Sequence, residues 1–355
     1  MRIWPPTPQS ERGVLTRRAL VGGSSAALLA GASVAGASVA ASALDRRYPI
    51  LDLAGPPGLD ASARRAYADF LLMDLPRAFA IGAGGRVGVA GGALSTDQAG
   101  AEAIAACQGI GGGNARIYAQ DLSVVWHGPA PPVAAARAPL ISTWNYSFAP
   151  DSRFFWYGPG AGRGLYVWAH GTSTDPLGLQ PPPHVRAFNN AGFDIVRFDR
   201  IPNADEVTRA TQWLRAGIAS LRAMGWTYVI AGGHSRGAWN CLQMLDTADL
   251  ADVVIAESPA AHGMGGSLFL SSQTDDVRQI VQNVPKTRTR LAFVQFADDP
   301  FIGDPDQRRQ LIEALRGRVS GLLVIDRPPG FSGHLAARAL AFAERFGSDL
   351  LGLAT

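Results

Sequence analysis

The sequence predicts an α/β protein with a mostly parallel sheet covered by helices on both faces, preceded by a small α+β module. Three observations predict it. From residue 140 onward, short, continuously apolar runs alternate with longer segments at helical spacing. Strands buried on both faces and their crossover helices read in this way. One such run, Tyr228-Val-Ile-Ala231, passes through Gly233-His234-Ser235-Arg236-Gly237 straight into helical spacing that lasts to Leu245. A strand must therefore reverse sharply into a helix at that point. Between residues 44 and 127, by contrast, two helical segments are interleaved with short, glycine-punctuated strands.

In order, residues 60–73 read as a helix with Tyr67, Phe70 and Leu71 on one face, stopped by Pro76. Residues 78–81 and 87–90 read as a hairpin, and Ser95-Thr-Asp-Gln98 as a capping-box-like start for a helix to Cys107. Residues 115–119 and 122–126 are two more strand candidates, and the Pro/Ala-rich run 128–139 reads as a linker. In the main domain, 140–355, strands are expected at 140–146, 154–157, 165–169, 194–198, 228–231, 252–256, 290–297 and 322–325. Long helices are expected at 205–224, with Val207, Ala210, Leu214, Ile218 and Leu221 on one stripe, at 237–245 and at 334–346.

The chain has 355 residues, 47% of them hydrophobic and 17% charged, enough for one large domain with a smaller appendage. Its formal net charge of +3 sits in the first 43 residues, where Arg2, Arg12, Arg17 and Arg18 outweigh Glu11. The remainder is close to neutral, which argues against nucleic-acid binding. Cys107 and Cys241 are the two cysteines, and no Cys/His cluster has metal-ligand spacing, so no structural metal is expected. The glycine-rich runs Gly82-Ala-Gly84 and Gly109-Ile-Gly111 have Val87 and Asn114 where G-x-G-x-x-G needs glycine, which excludes a Rossmann cofactor site.

Residues 1–43 are set aside from the fold. Arg17-Arg18 precedes a long Ala/Gly/Ser/Val/Leu stretch, and Ala41-Ser42-Ala43 is a small-x-small cleavage pattern. The paired arginines and weakly apolar core resemble a twin-arginine export signal, with Leu20 where Phe is usual. The expectation is passage through the twin-arginine machinery and a mature chain from about Leu44 in a bacterial periplasm or outside the cell. Sec export and a retained anchor are the alternatives.

Gly233-His234-Ser235-Arg236-Gly237 is a G-x-S-x-G pattern with a strand before it and a helix after it. This context raises a serine hydroxyl at the mouth of a sheet, beside backbone N–H groups that a helix start leaves free. Two further marks accompany it: His170-Gly171 closing the 165–169 strand, and the chain order serine, acid, histidine. On these marks residues 140–347 resemble the α/β-hydrolases, the serine-hydrolase superfamily.

The resemblance implies Ser235 as nucleophile and His334, past the last strand, as base. It places the acid after the 290–297 strand, in Asp298-Asp299-Pro-Phe. The family's turn favours Asp299, with Asp298 the near alternative and Glu257 a third. The oxyanion donors it implies are the backbone N–H groups of Arg236 and of the Gly171-Thr172 loop, Thr172 foremost. His234 is expected to point away from the nucleophile and His170 to be structural. His262 is a substrate-contact candidate, and His127 and His184 carry no chemistry. The Arg236 side chain is expected to pair with a loop carboxylate. The reaction implied is hydrolysis of a small-molecule carboxylic ester through an acyl-serine, without cofactor. Amide or peptide hydrolysis and a non-catalytic scaffold are the alternatives. The stretch between Glu257 and Arg290 offers at most one helix besides a glycine-rich loop, which predicts an open site with Met264, Leu268 and Phe269 as candidate acyl wall. A reporter fused after Ala43 is expected to leave the cytoplasm; its retention would remove the export reading.

Overall fold

A computed structural model describes residues 55–56, 58–126, 137–172, 180–201, 205–261 and 267–355, with side chains in the last segment from 273. All belong to one compact unit, 40–355. Residues 1–43, where the export signal was expected, His127, His262, Met264 and most of the linker fall outside the described residues, and the side chains of Leu268 and Phe269 are not described.

The first part holds α1 (Ala61–Leu72), β1 (Arg77–Ile81), β2 (Val87–Gly91), α2 (Thr96–Gly109), β3 (Arg116–Gln120) and β4 (Ser123–Val124). The strands form an antiparallel sheet in the order β2-β1-β3-β4. Alternate residues of β1 serve its two faces. Phe79 packs with Tyr67, Phe70 and Leu71 of α1, while Ala78 and Ala80 pack with Ala99, Ala103 and Cys107 of α2. Both helices start on side-chain caps. Asp60 accepts from Ala63 N at 2.8 Å, and Ser95 accepts from Gln98 N at 3.1 Å. The alanine face lets α2 lie directly on the sheet, where a Cβ at Gly88 would meet Ala103 O at 2.2 Å.

The second part holds β5 (Ile141–Ser142), β6 (Tyr146–Pro150), β7 (Gly164–Ala169), α3 (Val185–Asn190), β8 (Phe193–Arg200), α4 (Val207–Ala223), β9 (Val229–His234), α5 (Arg236–Gln243), β10 (Val253–Glu257), α6 (Ser267–Asn283), β11 (Arg290–Gln295), α7 (Pro305–Glu313), β12 (Gly321–Asp326) and α8 (Leu340–Ala354). The eight strands lie in the order β12-β11-β10-β9-β7-β8-β6-β5. Every pair from β12 to β8 is parallel; β6 and β5 join antiparallel at one edge. On one face α4, α5, α6 and α7 bury Leu214, Ile218, Trp239, Val277 and Ile312. On the other, α3 and α8 bury Phe188, Phe342 and Leu350. This is the α/β-hydrolase fold expected from the sequence.

Two expected strands are corrected. The run 140–146 splits because the Thr143 hydroxyl accepts the N–H groups of Asn145 and Tyr146, at 3.2 and 3.1 Å, closing a turn before β6. Residues 154–157 are irregular. Their backbone is satisfied by side chains instead of a ladder: Asn189 takes Phe155 N and gives to Phe155 O, and Asp194 takes Tyr157 N at 2.6 Å. The last helix begins at Leu340 rather than 334, after a 3₁₀ turn, Ala336–Arg338.

Gly217 of α4 sits over Phe148 of β6, and a Cβ there would lie 2.0 Å from Phe148 Cζ. Phe148 is fully buried and stacked 4.7 Å from Phe198, so it has nowhere to move. Gly217→Ala is therefore expected to destabilise the fold by about 1–3 kcal/mol despite its better helix propensity, read from urea unfolding.

Candidate active site

Four adjacent parallel strands end at or near a non-glycine residue with positive φ: Ser235 after β9 (55°), Ser258 after β10 (45°), Asp298 after β11 (54°) and Arg327 after β12 (45°). Such conformations cost of order 1–3 kcal/mol and gather at functional edges. All four lie at the carboxyl ends of the strands, where ligands bind in open α/β sheets.

Ser235 is the sharpest of these, at φ 55° and ψ −120°, immediately before the first residue of α5. Its backbone is tied on both sides: Ser235 N donates to Glu257 O at 3.0 Å, and Ser235 O accepts from Trp239 N and Ala260 N at 2.9 and 3.2 Å. Cβ atoms at Gly233 and Gly237 would lie 2.6 and 1.9 Å from Ala169 O, so neither position tolerates a side chain. A Cβ at Gly171 would lie 3.0 Å from Ser235 Cβ, which places the loop after β7 against the serine.

His334 and Asp299 are joined. His334 Nδ1 lies 3.0 and 2.9 Å from the two Asp299 oxygens, and Asp299 Oδ1 also accepts Phe301 N at 2.9 Å. Burial pushes the Asp299 carboxyl up, but the His334 hydrogen bond and charge and the Phe301 N–H together hold it below its ordinary value. The His334 ring packs edge-on against Phe301 at 4.6 Å and lies 4.7 Å from the ring of His234, the residue before the serine. No hydrogen bond joins the Ser235 and His334 side chains among the described residues.

The alternative acids are held elsewhere. Asp298 accepts from Ser332 Oγ at 2.7 Å on the exposed side. Glu257 points to the opposite face of the sheet from Ala256 and meets His184 Nε2 at 2.7 Å, both residues fully buried. Nothing local in the sequence signals the His184–Glu257 pair, because Glu257 ends β10 while His184 precedes α3, far away along the chain.

The remaining histidines fix loops. His234 Nε2 lies 2.8 Å from His334 O, tying the serine turn to the histidine loop. His170 Nε2 accepts Arg200 N at 3.3 Å, so Nδ1 carries the proton and donates to Gly171 O at 2.6 Å. Burial, then the charge of His334, drives His234 down to about 3; burial, then Arg200, drives His170 to about 3. Arg236 donates from Nη1 to Asp205 O at 3.0 Å, while its own backbone N–H occupies the first helical position, where the helix supplies no acceptor. Phe301 and His234 both touch His334 in ways the sequence reading did not foresee; their places beside the Asp-Asp-Pro and G-x-S-x-G motifs were the available signals.

No family model matches the chain, and no curated protein matches it. Solved structures similar to it in fold include the esterase Pf2001 of Pyrococcus furiosus, with 14% identity over 59% of this chain and 85% of that one, at a TM-score of 0.43. Est1E from Butyrivibrio proteoclasticus shares 15% identity over 59% of this chain and 94% of its own, at 0.43. The Pyrococcus horikoshii acylaminoacyl peptidase shares 13% over 59% of this chain and 39% of its own, at 0.41.

Because His170 and His234 stay neutral when folded, the unfolded chain takes up protons first as pH falls. Their contribution to stability is complete above about pH 6.5 and is lost on the way down toward about 3. Unfolding midpoints are expected to drop through that window, and His234→Asn to flatten the slope. A pH-independent midpoint would contradict the buried neutral state.

Proposed function

We propose that the chain is a serine hydrolase that cleaves a carboxylic ester through an acyl-serine intermediate, with Ser235, His334 and Asp299 as its catalytic set. The observation that supports this most is the Asp299–His334 bond in the neighbourhood of a serine held at φ 55° on a strand-to-helix turn. A carboxylate on Nδ1 keeps the imidazole proton there and leaves the Nε2 lone pair free. Nε2 then takes the Ser235 hydroxyl proton as Oγ attacks the ester carbonyl. The tetrahedral oxyanion is met by the backbone N–H of Arg236 and that of Thr172 in the loop beside the serine. The imidazolium returns its proton to the departing alcohol. Water, deprotonated by the same nitrogen, attacks the acyl-serine, and the acid leaves as Ser235 regains its proton.

A fluorophosphonate probe should label the purified chain and fail to label Ser235→Ala. An ester series of rising acyl length then reports the substrate. Asp299→Asn is expected to lower kcat by about 10⁴, since the wrong tautomer of His334 is then favoured, whereas Asp298→Asn should change it little. Equal activity of the two variants would overturn the choice of acid, and absence of a Ser235-dependent adduct would favour a scaffold.

A further inference from the structure

The segment that follows β10 holds both backbone polar groups of Ser235. Glu257 O accepts Ser235 N at 3.0 Å, and Ala260 N donates to Ser235 O at 3.2 Å. Residues 257–260 thus close as a clasp around a residue at φ 55°. The clasp is itself in an unfavourable conformation. Ser258 stands at φ 45°, which persists only where the surroundings impose it. Pro259, next in line, has no N–H with which to fasten itself.

The fastening comes from α7. Arg308 Nη2 donates to Pro259 O at 2.6 Å. Pro259 O and Ala260 N belong to one planar peptide, so fixing the oxygen also fixes the direction of the N–H on its other side. A cation on the oxygen polarises that peptide and makes its N–H a stronger donor to Ser235 O. Arg308 is fully buried, lies 5.8 Å over the Phe293 ring, and keeps Nε and Nη1 without hydrogen-bond partners among the described residues. Burial lowers it to about 10, which leaves it charged near neutral pH. A buried guanidinium with one side-chain hydrogen bond stabilises a fold poorly. The bond that it does make acts on the clasp.

Helix α7 is in turn placed by the strand and loop that carry Asp299. Gln295 Nε2, at the end of β11, donates to Pro305 O at 2.8 Å, and Asp304 caps the helix by accepting Gln307 N at 2.9 Å. Arg308 follows in the first turn and faces inward with Ile312.

We propose that Arg308 is a positioning residue for the nucleophile: it fixes the Pro259–Ala260 peptide, and through it holds Ser235 in its strained conformation. The acid-bearing loop, α7 and the serine turn are thereby coupled. The effect of Arg308 on reaction rate rests on the hydrolase function proposed above; its effect on the clasp does not.

Amide hydrogen exchange and fluorophosphonate labelling are compared in the wild-type chain, Arg308→Met and Arg308→Lys. In Arg308→Met the Ala260 amide should exchange about 10- to 100-fold faster, the range for losing a hydrogen bond to a charged group, while Val254 in the β10 ladder keeps its protection. Labelling of Ser235 at saturating probe should slow by a similar factor with little change in probe affinity, a split that general loosening of the fold would not produce. Arg308→Lys, which keeps a cation of similar reach, should recover most of both. Arg308→Gln ends short of Pro259 O and takes the place of the methionine variant if that one does not fold. Unchanged Ala260 exchange, or an unchanged labelling rate in a variant whose Ala260 amide has loosened, would overturn the positioning role. A wild-type chain that does not react at Ser235 would remove the hydrolase function, and Ala260 exchange alone then decides whether Arg308 holds the clasp.

Discussion

One carbonyl oxygen organises the carboxyl edge of the large sheet. Ala169 O, at the end of β7, lies in the angle between β9 and α5, and side chains at either Gly233 or Gly237 would collide with it. Three backbones thus approach without intervening side chains, which close packing elsewhere in the fold does not allow. The approach sets the Gly171-Thr172 loop beside Ser235 and sets Ser235 ahead of a helix whose first N–H groups are free. The unfavourable φ of Ser235 survives because neighbouring elements fix the residue from both ends, through Glu257 O, Trp239 N and Ala260 N. Strain, close approach and free helix N–H groups are one feature seen from three sides.

The same logic explains how much the sequence revealed. Strands β7, β10 and β11 are near-continuous apolar runs because both faces are covered, so they were legible directly. The serine turn was legible because backbone contact demands glycines at fixed offsets. Residues 154–157 were misread because Phe154, Trp156 and Tyr157 look like strand residues, yet they anchor an irregular segment: Arg186 lies 4.1 Å over Phe154, and Trp156 packs on Trp226. Helices α3 and α7 escaped notice because they are only 6 and 9 residues long, too short for a periodic pattern to stand out. The buried His184–Glu257 pair is a product of tertiary assembly, and no local spacing encodes it.

The histidines divide their work by burial. His170 and His234 are shut away from water, stay neutral and act as fixed hydrogen-bonding struts for the two loops that flank Ser235. His334 keeps 13% of its side chain exposed and has a carboxylate on one nitrogen.

Electrostatics also bears on which of two adjacent aspartates holds the histidine. Behind Asp299 lies Arg308, fully buried, giving one hydrogen bond to Pro259 O at 2.6 Å and leaving Nε and Nη1 without partners. Burial pushes Arg308 down to about 10, and the charge that opposes this is Asp299. The carboxylate is thus flanked by a permanent cation on its inner side and by an imidazole on its outer side. An ionised Asp299 satisfies both, whereas a protonated one would strand a buried guanidinium. Asp298, turned outward to Ser332, has no such obligation. The His334 imidazole and the Phe301 N–H, with the buried cation behind them, keep Asp299 charged through the proposed cycle, so the proton stays with His334 instead of passing to the acid.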